Sequence, residues 1–319
     1  MLVKINRDSE IPLIGTIQFG IIDRGTNLLQ IRPTTVCNLK CTFCSTRAGE
    51  HDVEFEIEVD YLVDWIKEVV KVKGDNLIAF IESVGETLTY SKIIDLIEGI
   101  KKIKEFKEII LMTNGILLTK EKIRELKKAG VDKINLSIHS LDFKRSRELA
   151  GCEYNILHII EMAEYIKEQG IELILTPVYI PNNEKDIEEL IMLSKKLDCK
   201  IGIQKYEIHR TGRKLKNVKE MTYYTFYKKL KEWEKKFDIK LLLNRRDFDI
   251  EKRARIETLF QRGDKIRVEI RERGWWKGQF LGIKNNRLIT VIGENLGLNS
   301  LITARIIENK DGMYIAKKL

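Results

Sequence analysis

The sequence predicts an α/β chain in two parts: a partial (β/α)6 barrel of the TIM type, then a small five-stranded β-barrel. Two observations carry this. Between residues 28 and 206, short apolar runs alternate with segments of helical period, at the pitch of parallel β/α units. From about Phe260 the texture changes to short alternating runs punctuated by Gly and Asn, with no helical period. Six β/α units fall short of the eight that close a full barrel.

The elements follow in order. Ile17–Ile22 and Leu28–Ile31 flank a turn with Gly25 at its centre, a hairpin leading into the first core strand. Tyr61–Val72 sets Leu62, Val63, Ile66, Val69 and Val70 at helical spacing. Strands are then expected at Leu77–Ile81, Glu108–Thr113, Lys133–Ile138, Glu172–Ile180 and Lys200–Tyr206. Helices are expected between them at Ile93–Ile103, Lys120–Ala129, Ile156–Gln169 and Glu184–Leu197, two of them closed by Gly130 and Gly170. A further amphipathic helix spans residues 220–237, and Asn244–Arg255 is dense in charge. Five short strands are expected at Lys265–Ile270, Gly278–Gly282, Arg287–Ile292, Leu301–Ile307 and Met313–Ala316. The chain thus divides into a hairpin extension (1–27), the partial barrel (28–240), a charged linker (241–259) and the small barrel (260–319).

Composition narrows the setting. No run of 18 apolar residues is present, so no membrane span is expected. The N-terminal residues lack the apolar stretch of a signal peptide, and five cysteines, an odd number, argue for a reducing cytoplasm. Charged residues at 33 % with only four prolines point to a thermophile. The net charge of +9 is uneven: residues 204–319 carry 29 Lys/Arg against 15 Asp/Glu, while residues 1–203 carry 28 against 33. A basic late region on an acidic body is the footprint of a polyanion partner, nucleic acid first; a solvated lysine-rich surface is the plain alternative.

Cys37-Asn38-Leu39-Lys40-Cys41-Thr42-Phe43-Cys44 concentrates three of the five cysteines in eight residues. Thiolates suit iron–sulfur clusters, and three of them on a four-iron cluster leave one iron open for chemistry. Structural zinc wants four ligands, usually in two pairs; Cys152, Cys199 and the four histidines show no such pairing. Inert core packing of the cysteines is the other reading, but Asn38 and Lys40 mark a loop.

The Cys-x3-Cys-x2-Cys run with Phe43 before its last cysteine resembles the radical S-adenosylmethionine (radical SAM) enzymes. The resemblance implies a [4Fe–4S] cluster on Cys37, Cys41 and Cys44, with SAM chelated to the fourth iron. It also implies one-electron cleavage of SAM to a 5′-deoxyadenosyl radical that abstracts hydrogen from substrate, and so an electron donor such as ferredoxin or flavodoxin. It covers roughly residues 28–206. Ser83-Val84-Gly85-Glu86-Thr87 stands where the family has Gly-Gly-Glu-Pro; Gly85 and Glu86 match, Val84 and Thr87 depart. Asn114 and Gly115 are similar to the family's Thr-Asn-Gly. Asn135, Ser137 and His139 share a strand face by period two, with Ser137 and His139 toward SAM, and Thr176, Val178 and Ile180 are adenine contacts by the same resemblance. Gln204, Tyr206 and His209 are candidates to face substrate. The late strands resemble the TRAM domain, a small RNA-binding barrel of RNA-modifying enzymes. Trp275 and Trp276, beside Arg271 and Arg273, have a base-stacking and phosphate pattern, with at least one tryptophan expected to pack inward.

Together these imply a radical SAM enzyme modifying RNA, most naturally tRNA. The methylthiotransferases carry three more cysteines for a second cluster; with only Cys152 and Cys199 left, sulfur insertion is disfavoured. The rivals are a radical SAM enzyme for a small metabolite or peptide, and a non-catalytic RNA-binding iron–sulfur protein.

Overall fold

A computed structural model describes residues 1–319. They form two compact units whose segments interleave along the chain. One comprises Met1–Val36, Glu50–Ile109 and Ile250–Leu319; the other comprises Cys37–Gly49 and Ile110–Asp249. No helix is long and apolar enough to cross a membrane.

The first unit opens with β1 (Leu2–Ile5), β2 (Gly20–Asp23), β3 (Leu28–Arg32), β4 (Glu54–Ile57), α1 (Val59–Lys73), β5 (Leu77–Ile81) and α2 (Ile93–Lys101). The hairpin forms as expected: β2 pairs antiparallel with β3, and Asp23 Oδ1 accepts the Gly25 N–H at 2.8 Å to hold the turn. β3 then pairs parallel with β5, and β1 with β4. The apolar stripe of α1 is buried, and Gly74 at φ +78° ends the helix. At its last turn Lys73 is buried and donates to Asp23 Oδ1 at 2.7 Å and to Ala254 O at 2.5 Å. Asp23 also accepts the Ile256 N–H at 2.8 Å, so one buried ion pair ties the charged late segment to the core.

β6 (Phe106–Thr113) runs from the first unit into the second, which continues with α3 (Lys120–Ala129), β7 (Lys133–Leu136), α4 (Phe143–Ala150), α5 (Ile156–Glu168), β8 (Glu172–Leu175), β9 (Val178–Tyr179), α6 (Glu184–Lys196), β10 (Lys200–Ile201), β11 (Gln204–Lys205) and α7 (Tyr223–Phe237). β6, β7, β8 and β10 pair parallel in that order. Together with β3 and β5 of the first unit, all six strands expected of the partial (β/α)6 barrel are present. Two expected strands are each split. Glu172–Ile180 breaks at Thr176-Pro177, because Pro177 has no N–H for the ladder and restricts the residue before it. Lys200–Tyr206 breaks at Gly202-Ile203, and the detached ends β9 and β11 pair with each other. The strand expected to Ile138 ends at Leu136. α4 was not legible as a helix: FKRSRELA has a thin apolar face, and Asp142 caps it by accepting the Arg145 N–H at 2.6 Å.

The rest of the first unit is a closed barrel of β12 (Lys265–Arg273), β13 (Gln279–Lys284), β14 (Arg287–Ile292), β15 (Leu301–Glu308) and β16 (Tyr314–Lys318), in the order β12-β13-β14-β16-β15. Only β14–β16 is parallel. Alternation turns Val268, Ile270, Ile289, Val291, Ala304 and Ala316 inward, all at 0 % exposure. The barrel seats on the N-terminal segment through Leu288 N to Ile14 O and Tyr314 N to Gly15 O, both 2.8 Å. Gly15 is required there: at φ +120° a Cβ would lie 2.1 Å from Leu288 O. Trp275 is the packing tryptophan, stacked on His51 with ring centres 4.5 Å apart and planes 4° off parallel.

Candidate active site

The cysteine loop of the second unit has no regular structure, so its shape comes from what grips it. α4 supplies the first grip. A helix leaves its last carbonyls without intrahelical donors; here Lys40 N–H reaches Ala150 O and Thr42 N–H reaches Leu149 O, both at 3.0 Å. Gly151 permits this approach, since a Cβ there would lie 2.2 Å from Lys40 O. The second grip follows β11. Arg213 donates its backbone N–H to Cys44 O at 2.8 Å and its guanidinium to Cys41 O and Ala48 O at 3.0 Å each. Phe43 supplies the third, packing with Leu149, Ile180 and Tyr206 and meeting His139 edge-on at 4.8 Å.

Cys37, Cys41 and Cys44 are half-buried. Burial, then the fields of Cys37 and Cys44, push the Cys41 thiol up to about 12, with Arg213 opposing. Crowded, desolvated thiols of this kind need a cation to become thiolates, which bound iron provides. Three thiols within one eight-residue loop, gripped on three sides, are a donor set that fits an iron–sulfur cluster. Cys152, next to α4, also bears on Cys41. Cys199 is not among its neighbours; burial raises its thiol to about 12.

Around that loop the strand ends bring several expected residues together. Asn114, after β6, donates to Asn38 Oδ1 at 2.8 Å. Ser137 Oγ and Thr176 Oγ1 lie 3.4 Å apart. His139 Nδ1 accepts the Val178 N–H at 3.2 Å, which leaves the proton on Nε2, and desolvation lowers its pKa to about 4. Ile180 is fully buried in an apolar cluster with Leu149 and Tyr206, and Tyr206 is 2 % exposed with its hydroxyl accepting the Leu215 N–H at 3.2 Å. Sequence reasoning missed Tyr154, whose hydroxyl donates to Asn114 O at 3.0 Å, and Arg213. Neither lies in a motif; only the fold brings them to the loop.

In the first unit, the segment after β5 closes on the residue that precedes Cys37. Glu86 N–H donates to Val36 O at 2.8 Å, and Thr89 Oγ1 to the same oxygen at 3.2 Å. Gly85 sits so close that a Cβ would lie 2.0 Å from Val36 O. Glu86 is 2 % exposed, and one carboxylate oxygen accepts the Leu88 N–H at 2.9 Å.

Comparison with known proteins agrees with this geometry. The radical SAM superfamily model matches residues 31–193. An uncharacterized protein of Methanocaldococcus jannaschii is 33 % identical over 340 residues, covering 96 % of this chain and 78 % of that one. The GTP 3′,8-cyclase of Aquifex aeolicus is 28 % identical over 187 residues, 58 % of each chain; the chain spans less than two thirds of the cyclases' length. Streptococcus suis SuiB bound to S-adenosylmethionine shares the fold, with a TM-score of 0.54 at 23 % identity over 66 % of this chain and 47 % of SuiB. The family match encloses the cysteine loop, Gly85, Glu86 and the β6–β8 strand ends. This chain belongs to the radical SAM superfamily, whose enzymes use a [4Fe–4S] cluster and S-adenosylmethionine.

Proposed function

We propose that this protein is a radical SAM enzyme that modifies RNA, with tRNA as the substrate class. Cys37, Cys41 and Cys44 would hold the cluster. By the family resemblance, Gly85 and Glu86 would receive SAM's amino group, and Asn114, Ser137, His139, Thr176 and Val178 would line its remaining contacts. When bound, the cluster and SAM supply one-electron reductive cleavage and hydrogen-atom abstraction, with ferredoxin or flavodoxin as donor. The chain's own residues orient and sequester. His139 stays neutral at pH 7 and offers Nε2–H as a donor, Tyr154 fixes the turn at Asn114, and Arg213 holds the loop carbonyls of Cys41 and Ala48.

The observation that carries the RNA reading is the late β-barrel, whose strand pattern resembles the TRAM domain. It bears an open groove of about 960 Å³ lined by Arg273, Trp276, Lys277, Gln279, Phe280 and Glu294, among others. Arg273 and Lys277 are exposed. An aromatic face beside free cations is what unstacked bases and phosphates bind. Mass spectrometry of nucleosides from a deletion strain tests this: one modified nucleoside should disappear, and an unchanged profile defeats the RNA reading. A free nucleotide substrate is the second reading, favoured by similarity to the GTP 3′,8-cyclases. It requires RNA binding that is weak and insensitive to salt, whereas the RNA reading requires a steep salt dependence. The non-catalytic reading requires that SAM survive cluster reduction intact.

A further inference from the structure

The second unit carries a surface that the barrel-centred reading leaves unused. α7 buries one side through Phe226, Leu230 and Trp233, at 4 %, 3 % and 1 % exposure. Its outward stripe is Tyr224, Tyr227, Lys228, Lys231 and Lys235, spaced i, i+3, i+4, i+7 and i+11 and all exposed. Tyr224 is 79 % exposed; Tyr227 is 48 % exposed and stacks one side on Tyr223, with ring centres 6.0 Å apart.

The lysines of this helix fall into two sets. On the flank, Lys229 pairs with Glu184 at 2.6 Å and Lys236 with Glu188 at 2.7 Å, both acids on α6. On the outward stripe, Lys228, Lys231 and Lys235 have no acid within ion-pair distance, and they span about 10 Å of helix axis. The loop leading into α7 adds Lys214, Lys216 and Lys219, exposed and equally uncompensated. Arg213, at the head of that loop, is bonded to the carbonyls of Cys41 and Ala48. A basic ribbon of uncompensated lysines with exposed tyrosines therefore runs along α7, and three more exposed lysines lie in the loop that precedes it.

We infer that this ribbon is a docking surface for the RNA substrate, with phosphates on the lysines and unstacked bases on Tyr224 and Tyr227. The inference rests on the RNA reading above and adds a second contact surface to it. A lysine-rich face alone would serve any polyanion, including an acidic electron-donor protein. The highly exposed Tyr224 ring, with the half-exposed Tyr227 beside it, favours RNA, because every base has a π-face to stack on such rings.

The test uses the full-length, anaerobically reconstituted protein and a fluorescein-labelled unmodified tRNA transcript, with affinity measured by anisotropy across NaCl concentrations. Replacing Lys228, Lys231 and Lys235 together by alanine should lower the log–log salt slope by about 2, at roughly 0.7 per lost single-strand phosphate contact. The Tyr224→Ala/Tyr227→Ala variant should bind about tenfold more weakly or worse, with the slope kept. Iron content and thermal unfolding show that each variant is folded. If wild type binds steeply and both α7 variants match it, this inference fails and the RNA reading stands. If wild type itself does not bind, both fail. Normal RNA binding with slowed reduction by flavodoxin would assign the face to the electron donor and overturn the proposal.

Discussion

Alanine at position 85 would place a Cβ 2.0 Å from Val36 O, 2.4 Å from Val36 C and 2.5 Å from Thr35 O. Ordinary contact begins near 3.4 Å, so the segment after β5 must retreat by about 1 Å or more. All three obstacles are backbone, and no side-chain rotation relieves them. The retreat strips Val36 O of the Glu86 N–H at 2.8 Å and the Thr89 hydroxyl at 3.2 Å. Two hydrogen bonds at about 0.5–1.5 kcal/mol each, with about 1–3 kcal/mol of overpacking strain, give about 2–6 kcal/mol. Because Val36 is joined to Cys37 and Glu86 moves with Gly85, the cost is expected in function as well. Gly85→Ala should lower the urea midpoint and weaken SAM binding to the reconstituted protein, read by equilibrium dialysis and by the change in the reduced cluster's EPR signal on adding SAM. An unshifted midpoint with unchanged SAM affinity would refute this account of the loop.

Arg213→Ala removes two 3.0 Å bonds to the cysteine loop and the cation that opposes the rise of the Cys41 thiol; iron and sulfide per chain should fall, with Arg213→Lys intermediate. Alanine at Cys37, Cys41 or Cys44 should abolish the cluster chromophore, whereas Cys152→Ala should keep it. His139 has a folded pKa of about 4 against an ordinary 6.5, so the unfolded chain takes up the proton first as pH falls. The stability it contributes is complete above pH 6.5 and declines between 6.5 and 4 by about 3 kcal/mol; a His139→Asn variant, measured by urea unfolding against pH, should lack that decline. Lys73→Met leaves Asp23 buried without its cation and should cost about 3–5 kcal/mol by the same unfolding assay.

Periodicity and local chemistry were enough for much of this protein. The five late strands each appear within a few residues of where the alternation places them, and Gly130 closes α3 in the left-handed conformation at φ +112°. The cysteine spacing announces its metal because ligand chemistry is local. What the sequence did not show depends on contacts distant in the chain. The Tyr206 hydroxyl, at a strand end, accepts the Leu215 N–H. The α4 helix carries no clear periodic signal, and its final carbonyls accept the N–H groups of Lys40 and Thr42.

The sequence by itself determined the metal, the cofactor class, the β/α order and the late barrel, since each is written in residues a few positions apart. Only the tertiary structure decided which groups hold the cysteine loop in shape. Arg213, Phe43 and Gly151 act there through contacts between segments more than 100 residues apart, and no local pattern encodes where a folded chain will meet itself.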